Sequence, residues 1–593
     1  MLTNLLSRIF SRSARPAGAV DRQAFDAILQ QGFGSQNAGD EVAAEKLYRR
    51  ALNIDPVSVD AQYLLGTLLG KRGQLQEAAA LLQRAVAAKS DFADAHAALG
   101  NVYLLQENKQ AAAASYLEAI RLDPQNASAH SNLGLIYQRD NQHEAALRCF
   151  ARAHELAPEL RGALKNLTLE WIALEQFEPA LALLQDLYRK QPDGFEILKR
   201  LVQVLRGMHR PEEALDYGLK ARALNATDVE LLTDLGVVLR DLGRLDEALD
   251  SFNAALALQP DSVIALWHRS LVYLLRHDFE RGWLNYDLRL VSADLVRRPL
   301  QYPAWDGTAV AGRKILIYGE GGLGDEIMFA SCLPEMIAAS GHCVVECSAK
   351  LETLFRRSFP AATIYASLSD KSMPQSVRDI GIDAQIAMGS IPRFRRNHQA
   401  DFPHHRGYLI ADPERVVHWR QQLEGMGSGL KVGISWYGGS HLSRRPVRSI
   451  PLAQWGPILR VSGVHFVDLQ YSDCSDEINE LENRSDFHIH RWQAVRNDYE
   501  DTAAMVSALD LVISVCTAVV HLGGALSKPV WVMAPYSPEW RYGIAGEKMP
   551  WYPSVMMFRQ PRYGEWEPVI ARVANQLQRL DYASAQAGGM SDA

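Results

Sequence analysis

Residues 93–126, ADAHAALGNVYLLQENKQAAAASYLEAIRLDPQN, are one unit of a pattern that recurs every 34 residues. The spacing of apolar residues predicts one helix over Ala93–Leu105 and a second over Gln110–Leu122. Pro124 ends the second helix, because proline cannot continue it. A small residue at a fixed place in each unit allows the two helices to approach closely. That series is Ala44, Ala78, Ala112, Ala146, Ala180, Ala214 and Ala248.

One helix pair cannot bury both of its faces, so the units are expected to stack into a superhelix with a concave inner wall. The unit resembles the tetratricopeptide repeat, and the resemblance covers roughly residues 25–290. Such an array is a protein-binding surface, so chemistry must be sought in the remaining half. We predict the repeat superhelix over 25–290, with an N-terminal tail over 1–24.

Two asparagines, Asn132 and Asn166, occupy the same position in successive units. They are expected one above the other on the inner wall, where an amide can both donate to and accept from a peptide backbone of any sequence. The pair resembles a short stretch of the asparagine ladder in O-linked N-acetylglucosamine transferases. It predicts acceptor binding; the alternative is two solvated polar residues.

Size, charge and cysteine content limit the number of domains, the kinds of partner and the cellular location that we expect. The 593 residues are too many for one core and predict at least two domains. A net charge of −7 gives no argument for nucleic acid as a partner. Six thinly spread cysteines favour a reducing compartment, so we expect a cytoplasmic protein. No run of about 18 uncharged apolar residues predicts a transmembrane segment, and the N-terminal tail is either frayed or a short membrane-surface helix.

After the repeats the pattern changes to alternating strands and helices. Short apolar runs predict buried parallel strands: Lys314–Tyr318, Cys343–Cys347, Lys431–Trp436, Val464–Gln470, Leu511–Ser514 and Pro529–Met533. The first helix between them is expected over Ile327–Ala339. The two series of strands predict Rossmann-like halves over 313–420 and 430–580 that face a cleft. A linker with tryptophans is expected as a packed joint over 291–312, and a tail completes the chain over 581–593.

A glycine-rich loop follows the first predicted strand and opens a helix. Its sequence, GEGGLGDE over 319–326, lacks the spacing of a dinucleotide-binding loop. Gly322 and Gly324 would let the backbone approach a ligand near the helix N-terminus. Asp325 is either a helix cap or a carboxylate base at the mouth of the cleft, and the residues alone leave both roles open.

Two further loops follow strands of the second series. Arg444, Arg445 and Arg448 come after a Gly-Gly turn and predict a clamp for a diphosphate or monophosphate; the alternative is that these arginines are solvated. In the second loop, Thr517 and backbone N–H groups at a helix N-terminus are expected to donate to a ligand phosphate. No Asp-x-Asp occurs after residue 300, so no metal-bound nucleotide is expected.

Three segments strongly resemble bacterial repeat-containing glycosyltransferases, whose catalytic half is similar to the heptosyltransferases. They are GEGGLGDEIMF (319–329), RSIPL (448–452) and CTAVVHLGGALSKPVW (516–531). Trp305–Gly307 and Pro538–Arg541 fit the same family. The fold class implied is an α superhelical tetratricopeptide array followed by an α/β GT-B fold of two Rossmann-like domains.

The resemblance implies a metal-independent glycosyltransferase with a nucleotide-sugar donor and no other cofactor. Asp325 would deprotonate an acceptor hydroxyl. The implied donor-binding residues are Gly322, Gly324, Ser435, Arg444, Arg448, Gln470, Thr517, Ala518 and His521. With repeats to hold a protein, we expect O-glycosylation of Ser or Thr, and flagellin is the best guess for the acceptor. A lipopolysaccharide-type transferase acting on a lipid-linked sugar, or a non-catalytic scaffold with a degenerate transferase half, are the alternatives.

Cys516 stands where these relatives usually carry aspartate. An aspartate would repel a donor sugar that has its own carboxylate, whereas a neutral thiol would not, and Arg444 or Arg445 could then pair with that charge. We therefore expect a cytidine-monophosphate-linked acidic donor, a nonulosonic acid such as pseudaminic acid. The alternative is that Cys516 is only a small buried residue and the donor sugar is neutral.

Overall fold

The computed structural model describes residues 22–160, 162–291, 302–368, 372–439 and 444–589. Most of the predicted N-terminal tail, residues 292–301 of the predicted linker and the last four residues of the predicted C-terminal tail lie outside the described residues. The chain divides into two compact units, residues 1–192 and 193–593.

The first unit consists of helix pairs with the predicted 34-residue period. The helix predicted over Ala93–Leu105 is present with those bounds, and its partner begins at Lys109, one residue earlier than predicted. The helices are α1 Arg22–Asn37, α2 Glu41–Ile54, α3 Val59–Lys71, α4 Leu75–Ala88, α5 Ala93–Leu105, α6 Lys109–Leu122, α7 Ala127–Arg139, α8 His143–Leu156, α9 Ala163–Ala173 and α10 Phe177–Lys190.

The second unit begins with further repeat helices, so the repeats do not end where the first unit ends. These helices are α11 Phe195–Gly207, α12 Pro211–Leu224, α13 Val229–Asp241, α14 Leu245–Leu258, α15 Val263–Leu275 and the short α16 Phe279–Trp283, followed by a 3-10 helix over Tyr286–Val291. The helical repeat array predicted from the sequence is confirmed. Its last helix pairs belong to the same compact unit as the sheets that follow.

Small residues lie where the two helices of a repeat meet. A Cβ placed on Gly100 would lie 2.7 Å from Cε1 of Tyr116, and one on Gly134 would lie 2.8 Å from Cε1 of Phe150. The aromatic ring of the second helix therefore packs directly on the backbone of the first, which is the close approach that the small-residue series predicted.

Each turn between the helices of a pair contains one residue in the left-handed region, again at intervals of 34. The series is Gly39, Gly73, Glu107, Asn141, Glu175, His209, Gly243 and His277. Glycine adopts this conformation at no steric cost, and the other residue types at these positions are held there by the helix-end hydrogen bonds. The sequence analysis missed this series, because glycine occupies only three of its positions.

The first sheet is four-stranded, parallel, and ordered β3-β2-β1-β4. Ile315 of the central strand lies opposite Cys343 on one side and Ala384 on the other. Its elements are β1 Lys314–Tyr318, α17 Leu323–Phe329, α18 Leu333–Ala339, β2 His342–Cys347, α19 Glu352–Ser358, β3 Thr363–Ala366, α20 Gln375–Arg378, β4 Ala384–Ala387 and α21 Pro392–Arg395.

The prediction of a single helix over Ile327–Ala339 was wrong in two respects. The helix begins earlier, at Leu323, and a 3-10 turn over Ala330–Cys332 separates it from a second helix. Pro334 accounts for the break, because proline has no N–H to donate and its ring crowds the carbonyl of the preceding turn.

The second sheet is seven-stranded and ordered β10-β11-β9-β8-β5-β6-β7, with only the β10–β11 pair antiparallel. The predicted strands of this half are present, whereas β7, β10 and β11 were not predicted. The elements are α22 Pro413–Glu424, β5 Leu430–Ser435, α23 Arg445–Arg448, α24 Gly456–Leu459, β6 Val464–Asp468, α25 Ser475–Glu482, β7 Ile489–His490, α26 Gln493–Asn497, α27 Tyr499–Ala508, β8 Leu511–Val515, α28 Ala518–Ala525, β9 Val530–Ala534, β10 Lys548–Met549, β11 Tyr552–Arg559 and α29 Glu567–Gly589.

The end of the repeats is built into the second unit by an aromatic cluster. Trp283 is 1% exposed, and its indole N–H donates to the carbonyl of Arg396 at 2.8 Å. Its ring lies edge-on to Tyr286 and Trp540, with centroids 5.2 and 5.4 Å away. The residues that follow the last repeat are therefore packed within this unit, before the segment 291–312 for which the joint was predicted.

The glycine-rich loop after β1 is anchored to that joint through Glu320. Its carboxylate accepts from Nε of Arg289 at 3.0 Å and from the N–H of Gly389 at 2.9 Å. Arg289 comes from the 3-10 helix that ends the repeats, and Gly389 follows β4. The backbone that presents Asp325 is thus held from two sides.

In the part of the chain that the structure describes, no helix is both long enough and apolar enough to cross a bilayer.

Candidate functional site

Asp325 is the third residue of α17, the helix that follows the carboxyl end of β1. Its Oδ2 accepts from the N–H of Gly322 at 3.2 Å, which is the capping interaction. Its Oδ1 lies 2.6 Å from Nη1 of Arg541, and the side chain remains 26% exposed. The carboxylate therefore caps the helix and also forms an ion pair with a residue that follows β9 in the second sheet.

Arg541 is the centre of a row of alternating charges. Its Nε lies 3.7 Å from Glu539, whose other oxygen accepts from Nη1 of Arg448 at 2.7 Å. Burial by itself would lower the pKa of Arg541, but Asp325 and Glu539 more than offset this and the pKa is raised. The guanidinium is therefore charged, and the row reads Asp325, Arg541, Glu539, Arg448.

The helices that follow β1 and β8 touch at Gly324. A Cβ at this position would lie 3.0 Å from Cδ2 of His521 and 3.3 Å from Cα of Ala518. Thr517 caps the second helix by accepting from the N–H of Val519 at 3.3 Å. Gly324, Thr517, Ala518 and His521, all predicted site residues, are therefore brought together.

His521 is enclosed by two tyrosines. Its Nδ1 lies 3.2 Å from the hydroxyl of Tyr552, and its Nε2 lies 3.3 Å from the hydroxyl of Tyr542. Burial, followed by Arg541 and Arg448, lowers the pKa of His521 well below its usual value. The imidazole is neutral, so in this structure it supports α28 and offers no positive charge to a phosphate.

Ser435 and Gln470 lie together beneath the turn that follows β5. The amide oxygen of Gln470 accepts from Ser435 Oγ at 3.2 Å and from the backbone N–H groups of Trp436 and Tyr437 at 3.1 Å. Its amide nitrogen donates to the carbonyl of Tyr437 at 3.0 Å. Both side chains are buried and shape the turn, so the structure gives them a supporting place behind the arginine loop.

The three arginines of that loop point to different partners. Arg445 lies over the ring of Tyr437, 5.0 Å from its centroid. Arg448 donates from Nε to the carbonyl of Gly438 at 2.9 Å. Arg444 and Arg448 line a small cavity together with Val447, Cys516, Pro535, Ser537 and Glu539. Of the three arginines predicted as a clamp, Arg444 and Arg448 therefore line one cavity, and Arg445 is outside it.

Cys516 forms part of the wall of this cavity and is 1% exposed. Burial, and then the charge of Glu539, raises the pKa of the thiol to about 12, although Arg448, Arg559 and Arg541 act in the opposite direction. The side chain is a neutral thiol surrounded by arginines.

In the first unit, Asn132 is bonded to a residue that the sequence analysis did not single out. Its Nδ2 donates to Oδ1 of Asn101 at 2.8 Å, and that same oxygen accepts from the hydroxyl of Tyr116 at 2.7 Å. Asn166 lies half-buried on α9. The amide contact thus joins Asn132 to the preceding repeat through Asn101.

Arg541, Glu539 and the two tyrosines around His521 were also missed as site residues. The segment Pro538–Arg541 contributed to the resemblance to glycosyltransferases, and that was the available signal for the arginine. Nothing in local spacing links it to Asp325. Among the described residues, no three His, Cys, Asp or Glu side chains converge as a metal site.

Comparisons with known protein families identify tetratricopeptide repeats in the chain. Tetratricopeptide repeat models match residues 37–94, 63–127, 115–148 and 229–262. The protein FlbA of Caulobacter vibrioides is 33% identical over 342 residues, which is 55% of this chain and 56% of FlbA. The chain therefore spans about half the length of the curated relative that it matches.

Two solved structures are similar to part of the chain. PilF of Pseudomonas aeruginosa is 22% identical, covers 35% of this chain and 96% of its own, and has a TM-score of 0.31. A tetratricopeptide repeat protein from Parabacteroides merdae is 16% identical, covers 42% of this chain and 99% of its own, and has a TM-score of 0.34.

Proposed function

We propose that the chain is a protein O-glycosyltransferase of the GT-B type, with its active site between the two sheets of the second unit. The observation that carries this proposal is the meeting of Asp325 with Arg541, which brings together the loop after β1 and the segment after β9. Ligands of parallel α/β sheets bind outside the carboxyl ends of the strands, at points where the strand order reverses. Both sheets have such a point, between β1 and β4 and between β5 and β8.

The donor nucleotide would bind on the second sheet. Arg444 and Arg448 line the cavity beside Cys516, and guanidinium groups bind phosphate oxygens through paired N–H donors. The N-terminus of α28 is adjacent in sequence to Cys516, and its backbone N–H groups favour an anion there.

Asp325 would act as the general base. As the Ser or Thr oxygen attacks the anomeric carbon, its proton passes to the carboxylate, and the bond from that carbon to the phosphate breaks with its electrons remaining on the nucleotide. Arg541 keeps Asp325 in place. Each carboxylate oxygen of Asp325 has a further lone pair, which remains available to an acceptor hydroxyl. Arg541 would also face the negative charge that develops on the leaving phosphate.

The repeats would hold the acceptor protein. Binding the acceptor on the same chain raises its effective concentration at the transfer site, which gives the long array a role that a lipid-linked acceptor would not require. We propose flagellin as the acceptor and a cytidine-monophosphate-linked nonulosonic acid, such as pseudaminic acid, as the donor. The neutral Cys516 thiol and the arginines around it support an acidic sugar.

The proposal is tested by incubating the purified chain with flagellin and, separately, CMP-pseudaminic acid, CMP-N-acetylneuraminic acid and UDP-N-acetylglucosamine. Intact-protein mass spectrometry is expected to show the mass of the acidic sugar added to flagellin. Addition of N-acetylglucosamine alone would retain the transferase and contradict the acidic donor. No added mass with any donor would contradict the proposed function.

Cys516→Asp is expected to weaken binding of the acidic donor at least tenfold and to change binding of UDP-N-acetylglucosamine much less. A new carboxylate beside the sugar's own carboxylate is repulsive in a partly dry cavity. Isothermal titration calorimetry measures both affinities, and Cys516→Ser is the size-matched neutral control. Equal loss for the two donors would show that the substitution acts through packing, not through charge.

A further inference from the structure

Asp241 is in an unfavourable position for its own helix. It is the last residue of α13, where the negative end of the helix dipole disfavours an acidic side chain. No other repeat has an acid at this position, where the residues are Asn37, Lys71, Leu105, Arg139, Ala173, Gly207 and Leu275. Since the other repeats fold without it, the repeat scaffold does not require Asp241.

The side chain of Asp241 is 13% exposed and lies among cations. Its Oδ1 accepts from Nη2 of Arg240 at 2.9 Å and lies 3.7 Å from Nη2 of Arg444. Burial raises the pKa of this carboxyl, but Arg444 and Arg240 outweigh that effect and the pKa is lowered. Asp241 is therefore an ionised carboxylate that lies between Arg240 of the same repeat and Arg444 of the cavity that Cys516 also lines.

Arg444 is poised for a further partner. Its backbone has a φ of 62°, which orients the start of α23. Its Nε makes no hydrogen bond to the residues that the structure describes, although it is buried. Asp241 thus lies within ion-pair distance of one edge of the guanidinium, and the N–H donors of Arg444 remain available to a ligand in the cavity.

The same repeat also contacts the other side of that cavity. Ser537 Oγ donates to the carbonyl of Arg240 at 3.1 Å, and a Cβ on Gly243 would lie 2.9 Å from Cε1 of Tyr536. These residues belong to the segment that continues to Glu539 and Arg541. The turn after α13 therefore contacts both the arginine loop and the segment that carries the row of charges.

We propose that Asp241, in the seventh repeat, is a positioning residue of the cavity lined by Arg444, Arg448 and Cys516, and that it orients Arg444 toward the donor phosphate. This inference rests on the proposed function for the identity of the ligand. Its consequence is that the repeat array takes part in donor binding as well as in acceptor capture.

Asp241→Asn is expected to weaken binding of CMP about tenfold, because the amide keeps the shape but loses the charge that orients Arg444. In turnover, the KM for the donor rises by a similar factor while the KM for flagellin is unchanged. Asp241→Glu is expected to restore part of the affinity. A residue with only a structural role would change both KM values or the melting temperature.

Asp246→Asn is the matched control. Asp246 lies in the same repeat and pairs with Arg276 at 2.6 Å, but it is 88% exposed. The double variant Asp241→Asn with Arg444→Gln should bind CMP no more weakly than Arg444→Gln alone, because the two residues act through one contact.

The binding measurements distinguish a failure of this inference from a failure of the proposed function. If the parent chain binds CMP and Asp241→Asn binds it equally or more tightly, the inference is overturned and the transferase proposal stands. If the parent chain binds none of CMP, UDP and inorganic pyrophosphate, the proposed function fails and the inference fails with it.

Discussion

Asp325→Ala is expected to lower turnover by roughly 10²–10⁴-fold, the usual contribution of a positioned general base. The substitution also removes the acceptor for the N–H of Gly322 and one partner of Arg541. Loss of the cap should cost about 0.5–2 kcal/mol of stability, and Arg541 retains Glu539. Initial rates of sugar addition, followed by intact mass, and thermal unfolding measure the two effects on the same preparation.

Asp412→Ala is a matched control for the capping role. Asp412 caps α22 by accepting from the N–H groups of Glu414 and Arg415 at 3.0 and 3.1 Å, and Arg357 lies 3.8 Å away. It should lose a similar amount of stability with little change in rate. If the two alanine variants have similar rates at a temperature where both are folded, Asp325 is only a cap.

Trp283→Ala is expected to lower the free energy of unfolding of the second unit by about 3–5 kcal/mol, as is usual for removal of a large buried ring. The substitution empties the centre of the cluster that contains Tyr286 and Trp540 and leaves the carbonyl of Arg396 without its donor. Denaturant unfolding followed by near-ultraviolet circular dichroism measures the loss. Trp283→Phe, which keeps most of the ring, should lose less.

Trp171→Ala provides the comparison in the first unit, where Trp171 is only half-buried on α9. A loss at Trp283 no larger than the loss at Trp171 would mean that the end of the repeats is not part of the core of the second unit. The expected result also bears on fragment design. A fragment that begins at residue 300 would lack Trp283, so a catalytic fragment should begin near Asp193.

Local patterns in the sequence predicted the repeat helices and six of the eleven strands that the structure describes, but not β3, β4, β7, β10 and β11. A 34-residue period reports helix pairs because each repeat packs on its neighbours in the same way, so the same small residues recur. In the same way, a short apolar run followed by glycine or other small residues indicates the carboxyl edge of a parallel sheet. These signals placed Gly322, Gly324, Asp325 and Thr517 just after the carboxyl ends of strands, where the structure has them, although Gly324 and Asp325 lie in the first turn of α17 and not in a loop.

The sequence could not show which residues meet across the fold. Asp325 follows a strand of the first sheet, whereas Arg541 follows a strand of the second. Asp241 lies in a repeat, whereas Arg444 lies in the arginine loop. Each of these two ion pairs depends on how whole elements pack. The surroundings of Trp283 are also decided by packing, because its ring contacts Trp540, which is distant in the sequence. Periodicity determines what each segment becomes, whereas burial and charge pairing between distant segments determine which side chains meet at the candidate site.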